Sequence, residues 1–142
     1  MKLPILATLI LMLNASAGFS QDNGAKNDTA VNAEKIFEKV EIEAAFPGGR
    51  TGWIEFLQKN LKPNIPVKKK APAGTYQVVV RFIISKDGNI SDITPETSYG
   101  YGMEEEVVRV IRKSPKWIPA SQAGRKVNAY RRQPITFQVA EK

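Results

Sequence analysis

The sequence predicts a two-layer α+β domain, with two helices packed on one face of a three-stranded antiparallel sheet. Three observations predict it. An alternating run from Gly74 to Ile84 leads through Asp87-Gly88 into a second run beginning near Ile90. Residues 51–60 and 103–113 carry apolar side chains at helical spacing. A last alternating run extends from Val127 to Val139.

From the N-terminus, residues 1–20 read as a signal peptide. Lys2 supplies the positive start. Residues 3–13 are apolar except for Thr8 and the helix-breaking Pro4, and Ala15-Ser16-Ala17 or Gly18-Phe19-Ser20 offers a small-residue cleavage site. The run falls short of the ~20 residues that span a bilayer. The competing reading is an uncleaved inner-membrane anchor. Residues 21–35, rich in Asn, Asp, Ala and Lys, read as a flexible linker, and residues 36–142 as the folded domain.

Residues 34–45 alternate weakly at Ile36, Val40 and Ile42, as a short strand or an extended arm would. Phe46-Pro47-Gly48-Gly49 breaks the chain. Trp53, Ile54, Phe56, Leu57 and Leu61 then share a helical face, with Thr51 as the expected N-cap. Pro63 and Pro66 end that helix, and Lys68-Lys69-Lys70 reads as a solvated loop. Both tryptophans, Trp53 and Trp117, are expected as core anchors.

Tyr76, Val78, Val80, Phe82 and Ile84 fall on one face of the first long strand. Its other face carries Val79 and Ile83 between Gln77 and Arg81, too apolar for a strand wet on one side, so this strand is expected at the centre. Asp-Gly between apolar runs is a hairpin signal, because Gly accepts positive φ. In the second helix Met103, Val107, Val110 and Ile111 share a face. Glu104, Glu105 and Glu106 open it and Arg109, Arg112 and Lys113 close it, matching the helix dipole. Adjacent helical residues point about 100° apart, so the three carboxylates do not converge on a metal or a proton. Residues 114–124 read as a loop. In the last strand Val127, Ala129, Ile135, Phe137 and Val139 take one parity, and Tyr130, Arg132, Thr136 and Gln138 the other. Pro134 restricts this strand to an edge or a bulge. A right-handed crossover brings it antiparallel beside the first strand.

The 142 residues contain no cysteine and no histidine, which removes disulfides, thiolate metal sites and the commonest general base. No convergent catalytic pair is visible, so no enzyme activity, metal or cofactor is expected. The formal charge is +7, and loss of Lys2 with the signal peptide leaves +6. Such a charge suits nucleic acid, anionic lipid or an anionic wall polymer. Export argues against nucleic acid. A secreted, peptidoglycan-associated structural or adaptor protein is therefore one reading of function.

The other reading comes from a resemblance. Phe46-Pro47-Gly48-Gly49, Trp53 and Leu57 are followed by Gly74, then Tyr76, Val78, Val80 and Phe82 at alternate positions. Asp87-Gly88 and Ile90, a Glu-rich helix start, Pro115-Lys116-Trp117 with Pro119, Gly124 with Val127, and Pro134-Ile135 with Phe137 complete the order. This order resembles the TonB C-terminal domain, in the form found in Bacteroidetes-like bacteria. The resemblance implies a periplasmic module that pairs with TonB-box-like segments of outer-membrane receptors by β-strand addition, in TonB-dependent transport. It implies partner contacts along the last strand, at Lys126, Asn128, Tyr130, Arg131, Arg132, Gln133, Ile135, Thr136 and Gln138. It also implies contacts at Phe46 and Pro47 before the first helix. An open edge independently favours strand addition, and equally admits homodimerisation. Arg125, Lys126, Arg131 and Arg132 either steer an acidic segment or protect the edge by charge. Family transducers carry a membrane anchor, often with a histidine, and a long Pro-rich spacer. The short linker here, extended, spans only about 50 Å. A free periplasmic protein is therefore expected.

Overall fold

The structure, a computed structural model, describes residues 35–142, and 36–142 form one compact unit. The expected signal peptide, and the linker apart from Lys35, lie outside the described residues. The elements are β1 (Ile36–Phe37), α1 (Gly49–Asn60), α2 (Ile65–Lys68), β2 (Gly74–Ile84), β3 (Ile90–Pro95), α3 (Met103–Lys113), β4 (Ala120–Gln122) and β5 (Arg125–Val139).

The α+β class stands, but the sheet is not three-stranded and antiparallel. It is a mixed sheet in the order β1-β5-β2-β3, with β4 paired to the start of β5. The expected core of three strands is its centre: β2 lies between β3 and β5, antiparallel to both. The parallel neighbour β1 is only two residues long, placing Ile36 beside Asn128 and Phe37 beside Ala129. Two residues show no period, so the strand and arm readings of 34–45 each describe part of it. After β1 the chain runs as an arm, bridging Ile42 to Ser121 and Ala45 to Ile118.

Residues 114–124, read as a loop, contain β4. It makes a hairpin with β5 through Ala123-Gly124, whose φ values of 53° and 76° are both positive. Such a turn normally announces itself as Asn-Gly or Asp-Gly, and Ala in the first position hides it.

The core forms as the alternation requires. Val78, Val80, Phe82 and Ile84 of β2 are fully buried. They join Met103, Val107 and Ile111 of α3, and Ile135 and Phe137 of β5, in one cluster. Each such side chain contributes roughly 1.5–3 kcal/mol by leaving water. Val79, Arg81 and Ile83 on the opposite face are half-buried, as a central strand requires.

The first helix departs from expectation in three details. Its N-cap is Gly48 in a left-handed conformation, with no side-chain cap, rather than Thr51. Ile54 is 42% exposed and lies off the packed face. Pro66 does not simply stop the chain. It sits in the first turn of α2, where a missing N–H costs no helix bond, and is buried there.

The glutamates at the start of α3 do more than match a dipole. Glu104 accepts from the Thr97 hydroxyl (2.9 Å) and the N–H groups of Tyr99 (2.9 Å) and Gly100 (3.0 Å), which fastens the preceding loop. Burial by itself would raise its pKa, but these donors outweigh burial and hold the carboxyl below its ordinary 4.5. Glu106 is likewise pushed up by burial and held down more strongly by Arg109 and the Lys62 N–H. Arg109 also donates to the Asn60 carbonyl at 2.7 Å. The end of α1 is thereby tied to α3, and α1 carries one wall of the site described next.

Candidate functional site

The open edge can be read residue by residue from the ladder. Val79 donates its N–H to Thr97 Oγ1 (3.3 Å) and accepts from the Glu96 N–H (2.8 Å), both just past the end of β3. Opposite residues in an antiparallel ladder exchange both hydrogen bonds or neither. Pro134, opposite Val79, therefore turns its backbone away from β2. Its missing N–H removes nothing from the sheet, which explains how proline is tolerated well inside a long strand. By the same alternation Tyr130, Arg132, Thr136 and Gln138 present N–H and C=O groups to the outer side of β5. Beyond Ala129 no strand of the described residues pairs with that side.

This sorts the residues named from the resemblance. Lys126 is paired with Ser121 of β4, and Asn128 lies beside Ile36 of β1. Neither stands on open edge, and the Asn128 side chain accepts from the Lys86 N–H at 2.8 Å. Tyr130, Arg132, Thr136 and Gln138 offer the free backbone. Of these, Arg132 bonds Glu96 at 2.7 Å and Tyr130 lies under the Arg81 guanidinium at 4.4 Å. Ile135 is a core residue, 5% exposed, whose backbone faces β2, so it presents neither side chain nor backbone to the open edge. Arg131 and Gln133 have the core-side parity, but their side chains line a groove.

That groove, of about 520 Å³, runs along the core side of the open edge. Arg131, Gln133 and Pro134 form one wall, and Phe46, Arg50 and Trp53 the other, with Trp117 also lining it. The two regions named separately from the sequence, the last strand and the segment before α1, thus meet in one place. Pro47 does not line it. The Pro47 carbonyl packs on Gly52, where any Cβ would overlap it, and this close approach sets Phe46 against the helix.

The groove floor is aromatic. Phe46 contacts Trp53 (5.4 Å between centroids), Phe56 (5.2 Å) and Trp117 (5.5 Å), and Trp117 reaches the core at Phe82 (5.3 Å). Trp117 is buried as expected, but Trp53 is only half-buried and faces the groove. Arg131 crosses the floor. It donates to the Ala44 carbonyl at 2.9 Å and lies 5.8 Å from the Trp117 ring. Its Nε is buried and has no hydrogen-bond partner among the described residues.

Arg50 was missed in the sequence. It lines the groove and, among the described residues, its side chain forms no hydrogen bond or ion pair. Its place in the first turn of a helix, where a cation opposes the dipole, is the one local signal that it serves something other than the helix. Arg125 and Lys126, offered as steering charges, sit in the β4–β5 hairpin instead.

The fold and this site define an α+β module in which, among the described residues, no strand pairs with the outer edge of the last long strand beside an apolar, arginine-flanked groove. The family model for the Gram-negative bacterial TonB protein C-terminal domain matches residues 70–139, and over that stretch the chain belongs to the TonB C-terminal family. The match includes β2, β3, α3, β4 and β5 but not Phe46 or α1. No curated protein and no solved structure matches the chain. Membership ties the chain to TonB-type energy transduction, and domains of this family interact with outer-membrane receptors. TonB proteins are periplasmic or membrane-anchored. Among the described residues no helix is long and apolar enough to cross a membrane.

Proposed function

We propose that this is a non-catalytic periplasmic binding module that adds an extended, TonB-box-like segment of an outer-membrane receptor to the open side of β5. The observation that carries the reading is the row of unpaired backbone groups at Tyr130, Arg132, Thr136 and Gln138, next to a groove for side chains. Main-chain hydrogen bonds along such an edge supply affinity, and adjoining pockets supply selectivity.

The alternation makes the test specific. In the free protein the amides of Arg132, Thr136 and Gln138 should exchange with solvent quickly, and those of Gln133, Ile135 and Phe137 slowly. Saturation with a TonB-box peptide should slow the first set and move their NMR signals. If the two sets exchange alike, or peptide leaves the first set unmoved, strand addition at β5 is wrong. Light scattering on the same samples separates peptide pairing from pairing between two copies through this edge.

A further inference from the structure

Arg131 is held in place yet poorly satisfied. Its bond to the Ala44 carbonyl and its position by the Trp117 ring fix the guanidinium. Its contact with the Gln133 carbonyl oxygen is long, at 3.4 Å. Among the described residues its one carboxylate neighbour is Glu43, at 3.7 Å, with a side chain 71% exposed. A pair this long and this wet is weak. Arg50, whose side chain has no partner among the described residues, lines the same groove. A prearranged guanidinium, a second cation and a loosely held acid are what a carboxylate exchange needs.

We propose that Glu43 occupies the place of a partner carboxylate, and that an Asp or Glu of the incoming segment displaces it from Arg131, with Arg50 as second counter-charge. This rests on the strand-addition reading and adds the chemistry the groove selects: an acidic residue beside an apolar one that lies on the exposed face of Trp53. Displacing Glu43 costs little, because its side chain is already mostly in water. The gain is a charge-assisted contact on a guanidinium whose position is already set. Any segment lacking the acid leaves Glu43 where it is.

The test uses two short synthetic peptides of Val and Thr, identical except for one central Asp or Asn, titrated into the protein by calorimetry and NMR. The Asp peptide should bind about tenfold more tightly. Glu43→Gln should tighten the Asp peptide about threefold and leave the Asn peptide unchanged. Arg131→Gln should bring the two affinities together while both peptides still move the Thr136 and Gln138 amides. Arg50→Gln, on an exposed residue with no partner, should reduce the preference even if Arg131→Gln fails to fold. Equal affinities for the two peptides, or a preference untouched by Glu43→Gln and Arg50→Gln, overturns the exchange and leaves strand addition standing. If neither peptide moves the edge amides, strand addition fails and the exchange fails with it.

Discussion

Trp117→Ala is expected to destabilise the domain by about 3–5 kcal/mol, among the largest effects of any single substitution here. The indole is 3% exposed and joins two groups of aromatics. One edge meets Phe82 in the sheet core, and the other faces meet Phe46 and Trp53 beside the groove. Its Nε1–H donates to Ser114 Oγ at 3.0 Å, so truncation also removes a hydrogen bond at the end of α3, where the Ser114 hydroxyl donates to the Ile111 carbonyl. The gap would open between helix and sheet, where backbone ties limit collapse. Urea unfolding followed through Trp53, the other of the two tryptophans, measures the loss. Peptide affinity should fall as well, since the groove loses its floor. Trp117→Phe should recover part of both. A midpoint within error of the parent protein would mean that Phe46 and Phe82 close the gap unaided.

Gly88→Ala should cost about 2–5 kcal/mol, for two separable reasons. Gly88 has a φ of 87°, a region that costs an L residue roughly 1–2 kcal/mol. A Cβ there would also overlap the carbonyl oxygen of Trp117. That approach is no accident of packing. The Gly88 carbonyl accepts from the Trp117 N–H at 3.0 Å, and this bond ties the β2–β3 turn to the segment entering β4. Gly100 provides the control. Its φ of 84° is similar, but nothing lies within 4 Å of a Cβ built there. Gly100→Ala should therefore cost only the conformational part, about 1–2 kcal/mol. Equal losses at the two positions in thermal or urea unfolding would remove the close contact from the explanation.

Gly88 also shows how far the sequence could be read. Asp87-Gly88 between two apolar runs signals a turn, because only the backbone conformation is at issue. Nothing in those residues says that Trp117 lies against the turn. The same division runs through the site. The parity of β5 was legible: Ala129, Ile135, Phe137 and Val139 alternate inward because strand geometry has a period of two. Pro134 marked an edge because proline has no N–H to give to a ladder. The blocking of that edge at Lys126 and Asn128 was not legible. It depends on Ile36, Phe37 and the short β4, segments too brief to show any period. Arg50 lay in a helix start with no motif around it. Glu104 and Glu106 looked like a charge pattern, and their roles depend on which loops the fold brings to them.

Periodicity, turn residues and proline, all local, determine by themselves the α+β class, the central strand, the core face of the long strands and of α3, and an edge at the last strand. They do so because each expresses the geometry of one residue and its near neighbours along the chain. Tertiary structure alone decided which half of that edge stays open. It also brought Phe46 and Arg131 into one groove from opposite ends of the domain, and set Glu43 loosely on Arg131. Those depend on chain segments meeting across 87 residues of sequence, a distance over which no local pattern carries information.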